Sequence, residues 1–235
     1  GAYLRSLPDS LDIVTLANSE NISTYDREDI LLLQEKSTKV LYRVDYASQA
    51  AILSDAAKLG AFLDKAIATA TELNLNGFAF TGMPLYSGTE AELAARKEAA
   101  KLIVSRLSAA ASGDKLLVLD GDPAFVETSD IEKLDYIVLN TVDITNVTTL
   151  KLLVTGLLDN QSLPKEKLLL AAKINNQIID ETNVKQDAVT VMTERVVSLG
   201  PLGGLAIFAT GDDYYQTKMH YAITRTAIQL MNPSN

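Results

Sequence analysis

Short apolar runs rich in Val, Ile and Leu recur along the chain at Leu11 to Ala17, Lys39 to Tyr46, Asn76 to Phe80, Lys115 to Asp120, Asp135 to Asn140, Lys167 to Lys173 and Gly203 to Ala209. They are nearly continuous rather than alternating, which predicts strands covered on both faces, as in a parallel sheet under helices or a filled barrel. Between them the period changes to that of a helix. Leu59, Leu63, Ile67, Ala70 and Leu73 form one apolar stripe, and Leu93, Ala100, Ile103, Val104 and Leu107 form another. The second helix has a start signal in Thr89 with Glu92 three residues on, and a stop signal at Gly113.

Strand and helix alternate without a linker, a low-complexity stretch or a break in composition. The pattern therefore predicts one α/β domain over residues 1–235, a (β/α)8 TIM-type barrel, with a doubly wound open sheet as the second choice. Seven strands are visible where eight are needed. The natural place for the other is before Leu11, where ten residues remain, so the first strand is expected to be missing from this chain. Gly1 is read as artificial. His220, the only histidine, is placed in a last helix with a structural role.

Composition narrows the field. Apolar residues make up 47% of the 235 and charged ones 22%, as in a packed globular protein. A net charge of -9 without any basic run argues against nucleic acid as a partner. No stretch reaches the ~20 apolar residues of a transmembrane helix, and no leader pattern opens the chain. With no cysteine there are no disulfides and no thiolate chemistry, although the compartment stays open. Neither a G-x-G-x-x-G after a strand nor a phosphate loop is present, His220 has no metal-ligand companion, and no G-x-S-x-G occurs, so no cofactor or metal is expected. Gly200, Gly203 and Gly204 precede a strand and are read as a helix end turning into it. The sequons at Asn21, Asn146 and Asn160 carry no weight without a glycosylating host.

The segment Asn76-Gly77-Phe78-Ala79-Phe80-Thr81-Gly82-Met83 sits in fourth place, if a first strand is lost, and it resembles the D-G-x-D-x-D-x-E motif that ends strand four in family 18 glycoside hydrolases. The Gly falls on Gly77, the three Asp positions on Asn76, Ala79 and Thr81, and the Glu position on Met83. The framework is also similar to the endo-β-N-acetylglucosaminidase and chitinase branch of Bacteroidetes type. Leu11 to Asn18 resembles its second strand, Lys39 to Val44 its third, and Leu134 to Asn140 its sixth. Gly203 to Ala209 with Asp212, Asp213 and Tyr214 resembles its eighth strand and loop. Family members often carry a substrate-holding Tyr after strand six; the matching position is Val142, with Asp143 beside it.

This resemblance implies substrate-assisted hydrolysis in the relatives, with the Glu as proton donor. Met83 transfers no proton, and losing general acid catalysis alone costs about 10² to 10⁴-fold. The chain is therefore expected to be no enzyme in the family's sense. It is expected to bind N-glycans or other GlcNAc-containing polysaccharides without cutting them. Candidate ligand contacts at strand ends and loops are Asn18, Glu20, Asp45, Tyr46, Tyr86, Asp120, Asp143, Asp213 and Tyr214. The absence of Trp weakens the stacking part of this reading. Each tyrosine taken alone fits a half-buried framework role equally well.

Two other classes stay open. A divergent hydrolase would use a different acid pair, for which Asp120 and Asp122 are the first choice, although Asp122 before Pro123 also fits a simple turn or cap. A protein-interaction module would bury an exposed apolar patch. An exported, periplasmic or cell-surface lipoprotein, working with outer-membrane glycan-uptake proteins, is implied by the resemblance alone.

Overall fold

The computed structural model describes residues 11–16, 20–45, 50–81, 88–208 and 219–223. All seven expected strands are present. In chain order the elements are β1 (Leu11–Thr15), α1 (Thr24–Glu35), β2 (Lys39–Val44), α2 (Ala56–Glu72), β3 (Gly77–Thr81), α3 (Glu90–Ala110), β4 (Leu116–Asp120), α4 (Thr128–Ile131), β5 (Tyr136–Val138), α5 (Val147–Asp159), β6 (Leu168–Lys173), β7 (Gln177–Ile179), β8 (Lys185–Asp187), α6 (Ala188–Ser198), β9 (Gly204–Phe208) and β10 (Met219–Ile223). Strand followed by helix repeats along the chain, with parallel neighbours β2 with β3, β3 with β4 and β6 with β9. The fold class is α/β of the TIM-barrel type, in which apolar strands lie beneath amphipathic helices.

The residues cluster into two compact units. One is Thr15–Ile137 and the other joins the chain up to Val14 with everything from Val138 on. In the first, β2, β3 and β4 form a continuous parallel run, with Tyr42 opposite Phe78 and Ala79 opposite Val118. Its core is made by Val40, Leu41, Val44, Phe78, Phe80, Leu117 and Leu119 from the strands and by Leu59, Leu63, Ile103, Val104 and Leu107 from α2 and α3, none more than 2% exposed. Most of the two stripes read from the sequence supplies this face, with Ala66 and Ala99 buried beside them, while Ile67, Leu73 and Leu93 are half-buried at its edge.

Helix ends follow their side chains. Thr89 caps α3 by accepting from the Glu92 backbone N–H, and the chain leaves the helix before Gly113, whose φ of 72° is costly for a residue with a Cβ. Ser23 and Asp26 form a full capping box on α1. Asp122 caps the short turn that follows β4 through the Ala124 N–H, as its place before Pro123 predicts.

In the second unit β6, β9 and β10 run side by side. Residues before Leu11, where an eighth strand is looked for above, lie outside the described set. An eighth strand of the main sheet does follow β9: β10 pairs with it antiparallel, His220 opposite Ile207. His220 thus belongs to a strand, which corrects its assignment to a helix. Gly203 and Gly204 do turn the chain from α6 into β9; a Cβ on Gly203 would lie 2.3 Å from the Glu166 carbonyl oxygen.

Between β6 and α6 the chain makes a small antiparallel hairpin, β7 with β8. The Asp180 carboxylate accepts from the Thr182 and Val184 backbone N–H groups, the Thr182 hydroxyl and the Gln186 amide, and these bonds hold its pKa down at about 2. Next to it Glu181 pairs with Lys151 of α5 at 2.6 Å and with Arg195 of α6 at 2.8 Å. The hairpin is thereby tied to both flanking helices.

Candidate binding site at the ends of β2, β3 and β4

In barrels of this class ligands meet the C-terminal ends of the strands. The described register fixes what is presented there by the first unit. Arg43 lies opposite Ala79 and Thr81 opposite Asp120. Side chains alternate between faces, so Arg43, Ala79 and Val118 share one face. One step further along, Asp45, Thr81 and Asp120 follow as a row on that face. The residues between them, Val44, Phe80 and Leu119, are fully buried on the other face.

Within the row the Thr81 hydroxyl donates to the Asp45 carboxylate at 3.2 Å. Asp120 is half-buried, and burial pushes its carboxyl up to about 6; Arg43 lowers it and the charge of Asp45 raises it. The row therefore holds one hydroxyl and two carboxyls, one of which changes charge near neutral pH, with the Arg43 guanidinium one step below on the same face. On the opposite face, burial raises the Tyr42 phenol, helped by the charge of Glu20, and its ring meets Phe78 edge-on at 6.4 Å. Tyr136 is raised further by burial and by Asp135.

The motif segment divides into two parts. At the start of β3, Asn76 accepts at Oδ1 from the Val40 N–H at 2.9 Å and from the Gln34 amide at 3.0 Å, while its own backbone bonds Val40 and Leu116. It is a latch at the far end of the strand from the row. Gly77 has a φ of 130°, and a Cβ there would lie 2.0 Å from the Leu116 carbonyl oxygen. These two positions thus serve the packing of strands. Ala79 and Thr81, 1% and 8% exposed, occupy the two described positions where the resemblance puts acids on the ligand-facing end. Asn76→Ala is expected to cost about 1–3 kcal/mol, because it orphans the Val40 N–H; thermal unfolding measures it.

Of the sequence candidates, Asp45 and Asp120 are brought into one row and Glu20 lies within electrostatic reach of Tyr42. Glu20 is exposed in the turn before α1, and Asp143 is exposed in the turn after β5 of the other unit, next to a half-buried Val142. Asn18, Tyr46, Met83, Tyr86, Asp213 and Tyr214 lie outside the described residues. Arg43 was missed by sequence reasoning, although a cation flanked by apolar residues inside the run Val40–Val44 is the kind of signal that marks it. Among the described residues no group of acids or histidines is arranged to hold a metal ion.

No family model and no curated protein matches the chain. Solved structures do. A family 18 chitinase from Pseudoalteromonas aurantia superposes with a TM-score of 0.59, covering 89% of each chain at 16% identity. A chitinase from Bacteroides thetaiotaomicron gives 0.60 over 81% of this chain and 77% of that one at 12% identity. Against an endo-β-N-acetylglucosaminidase from Cordyceps militaris the chain spans only 51% of the other's length, at a TM-score of 0.45, and that likeness carries no weight here. The class is thus a TIM-type barrel of the kind that glycoside hydrolases use. More narrowly, the fold is family 18-like, as the strand-three segment and its framework led one to expect. At these identities the likeness concerns fold.

Proposed function

We propose that the protein is a non-catalytic carbohydrate-binding barrel, taking N-glycans or GlcNAc-containing polysaccharide at the strand ends where its structural neighbours named as chitinases would act. The observation that carries this reading is the pair Ala79 and Thr81 on the face where the resemblance places acids, with Thr81 engaged to Asp45 instead of presenting a carboxyl. Neither side chain transfers a proton to a glycosidic oxygen. The Asp45–Thr81–Asp120 row retains hydrogen-bonding groups suited to sugar hydroxyls.

One observation favours a second reading. Asp120 sits in an environment that raises a carboxyl toward neutrality, which is what a general acid needs. A divergent hydrolase would pair it with Asp45 across Thr81.

Calorimetric titration with chitooligosaccharides and N-glycans, run beside a reducing-end assay on the same sugars, separates the two. Binding without new reducing ends is the expected outcome. Turnover by the natural chain that disappears in Asp120→Asn replaces this reading by the hydrolase, and silence in both assays removes both. The proposed setting is export as a periplasmic or cell-surface lipoprotein beside outer-membrane glycan-uptake proteins, an extension that rests on the resemblance. No described helix is long and apolar enough to cross a membrane.

A further inference from the structure

We infer that Asp120, seated in a row with Thr81 and Asp45 and facing Arg43, is a proton-linked recognition group that selects neutral, hydroxyl-bearing ligands over anionic ones. This rests on the binding reading above and adds to it what kind of sugar the site takes and how binding responds to acidity. The starting point is placement. The register sets Thr81 opposite Asp120, and the Thr81 hydroxyl donates to Asp45, one residue past β2, so two carboxyls flank one hydroxyl at the ends of three adjacent strands. Thr81 donates to Asp45, whereas among the described residues no side chain donates a hydrogen bond to Asp120.

The surroundings of Asp120 decide what a ligand does to it. From β2 come Arg43 and Asp45, and from β3 the uncharged Thr81. The loop after β4 brings Asp122, exposed and occupied as the cap of Ala124. The charged residue nearest β5 in the same unit, Asp135, bonds the Leu117 N–H at the other end of β4. Among the described residues the charges that act on Asp120 are the Arg43 guanidinium and the Asp45 carboxylate, and Asp120 is already poised to change charge at about pH 6. A neutral sugar covering the row removes water from Asp120 without bringing a cation. Desolvation and the Asp45 charge then act on it more strongly, and the carboxyl takes up a proton. That proton can be shared with a ligand oxygen. An anionic sugar brings a third negative charge when Asp120 is ionised and is repelled there; when Asp120 is protonated the ligand still meets the Asp45 carboxylate, which Arg43 only offsets.

The test is calorimetry of the whole chain with chitotetraose and, separately, with tetragalacturonate, between about pH 5 and pH 8. The natural chain is expected to bind chitotetraose up to about tenfold more weakly at the alkaline end, as a one-unit shift on binding dictates, and to leave tetragalacturonate unbound. Asp120→Asn, which keeps the shape and mimics the protonated carboxyl, is expected to bind with the same affinity across the range. Asp45→Asn is expected to move the midpoint of the profile to lower pH, a readout that a merely structural role for Asp120 would not give. An affinity that does not vary with pH in the natural chain overturns the inference while leaving the binding reading intact, and so does a slope retained by Asp120→Asn. Preference for tetragalacturonate overturns it too. Failure of the natural chain to bind any oligosaccharide overturns the inference together with the binding reading.

Discussion

Gly77→Ala is expected to lower the unfolding free energy by about 3–5 kcal/mol, at the large end for a single methyl group. The added carbon would lie 2.0 Å from the Leu116 carbonyl oxygen, 2.6 Å from its nitrogen and 2.8 Å from its carbonyl carbon. All three atoms belong to the backbone at the start of β4, which is bonded to β3 over five residue pairs and cannot retreat without breaking them. A φ of 130° adds strain of its own for a residue with a Cβ. Urea denaturation of the two proteins side by side gives the difference; a loss below about 1 kcal/mol would mean that β3 and β4 do not approach as closely as described.

Asp120→Asn is expected to act in the opposite direction, stabilising the fold at neutral pH by up to about 3 kcal/mol. The carboxyl is raised from an ordinary 3.8 to about 6 in the folded chain. Between those values the folded state binds more protons than the unfolded one, so stability falls as pH rises from about 4 to about 6 and stays at the lower level above it. Asn cannot ionise and avoids the loss. Unfolding curves at about pH 4 and pH 7 should therefore differ more in the natural chain than in the variant. An equal pH response in both would place the titrating group elsewhere.

Much of this architecture is legible in the sequence because burial on both faces forces continuous apolar runs, and each of the seven runs became a strand. The hairpin of β7 and β8 is not legible in the same way. Lys185, Gln186 and Asp187 are all exposed, so β8 has no apolar pattern, and its turn is held by the Asp180 carboxylate. Met219–Ile223 was hidden for another reason: its Met, Ala and Ile sit among residues that also suit a helix, and only pairing with β9 decides the matter.

Along β3 the positions of the sequence motif differ in what they do. Asn76 and Gly77 read as remnants of a catalytic signature, yet their partners are Gln34, Val40 and Leu116, all concerned with how β3 seats between its neighbours. Arg43 and Asp45 became relevant only once the register set them beside Ala79 and Thr81. Spacing within one strand cannot reveal a row that runs across three.

That row also bears on how the chain could change again. An acid placed at position 81 would set a third carboxylate between Asp45 and Asp120 and remove the hydroxyl that Asp45 now holds, with Arg43 the cation that acts on Asp120 among the described residues. A carboxyl at that strand end is thus uphill while Asp45 and Asp120 flank it. Position 81 therefore accommodates a carboxyl only when the charge at Asp45 or Asp120 changes with it.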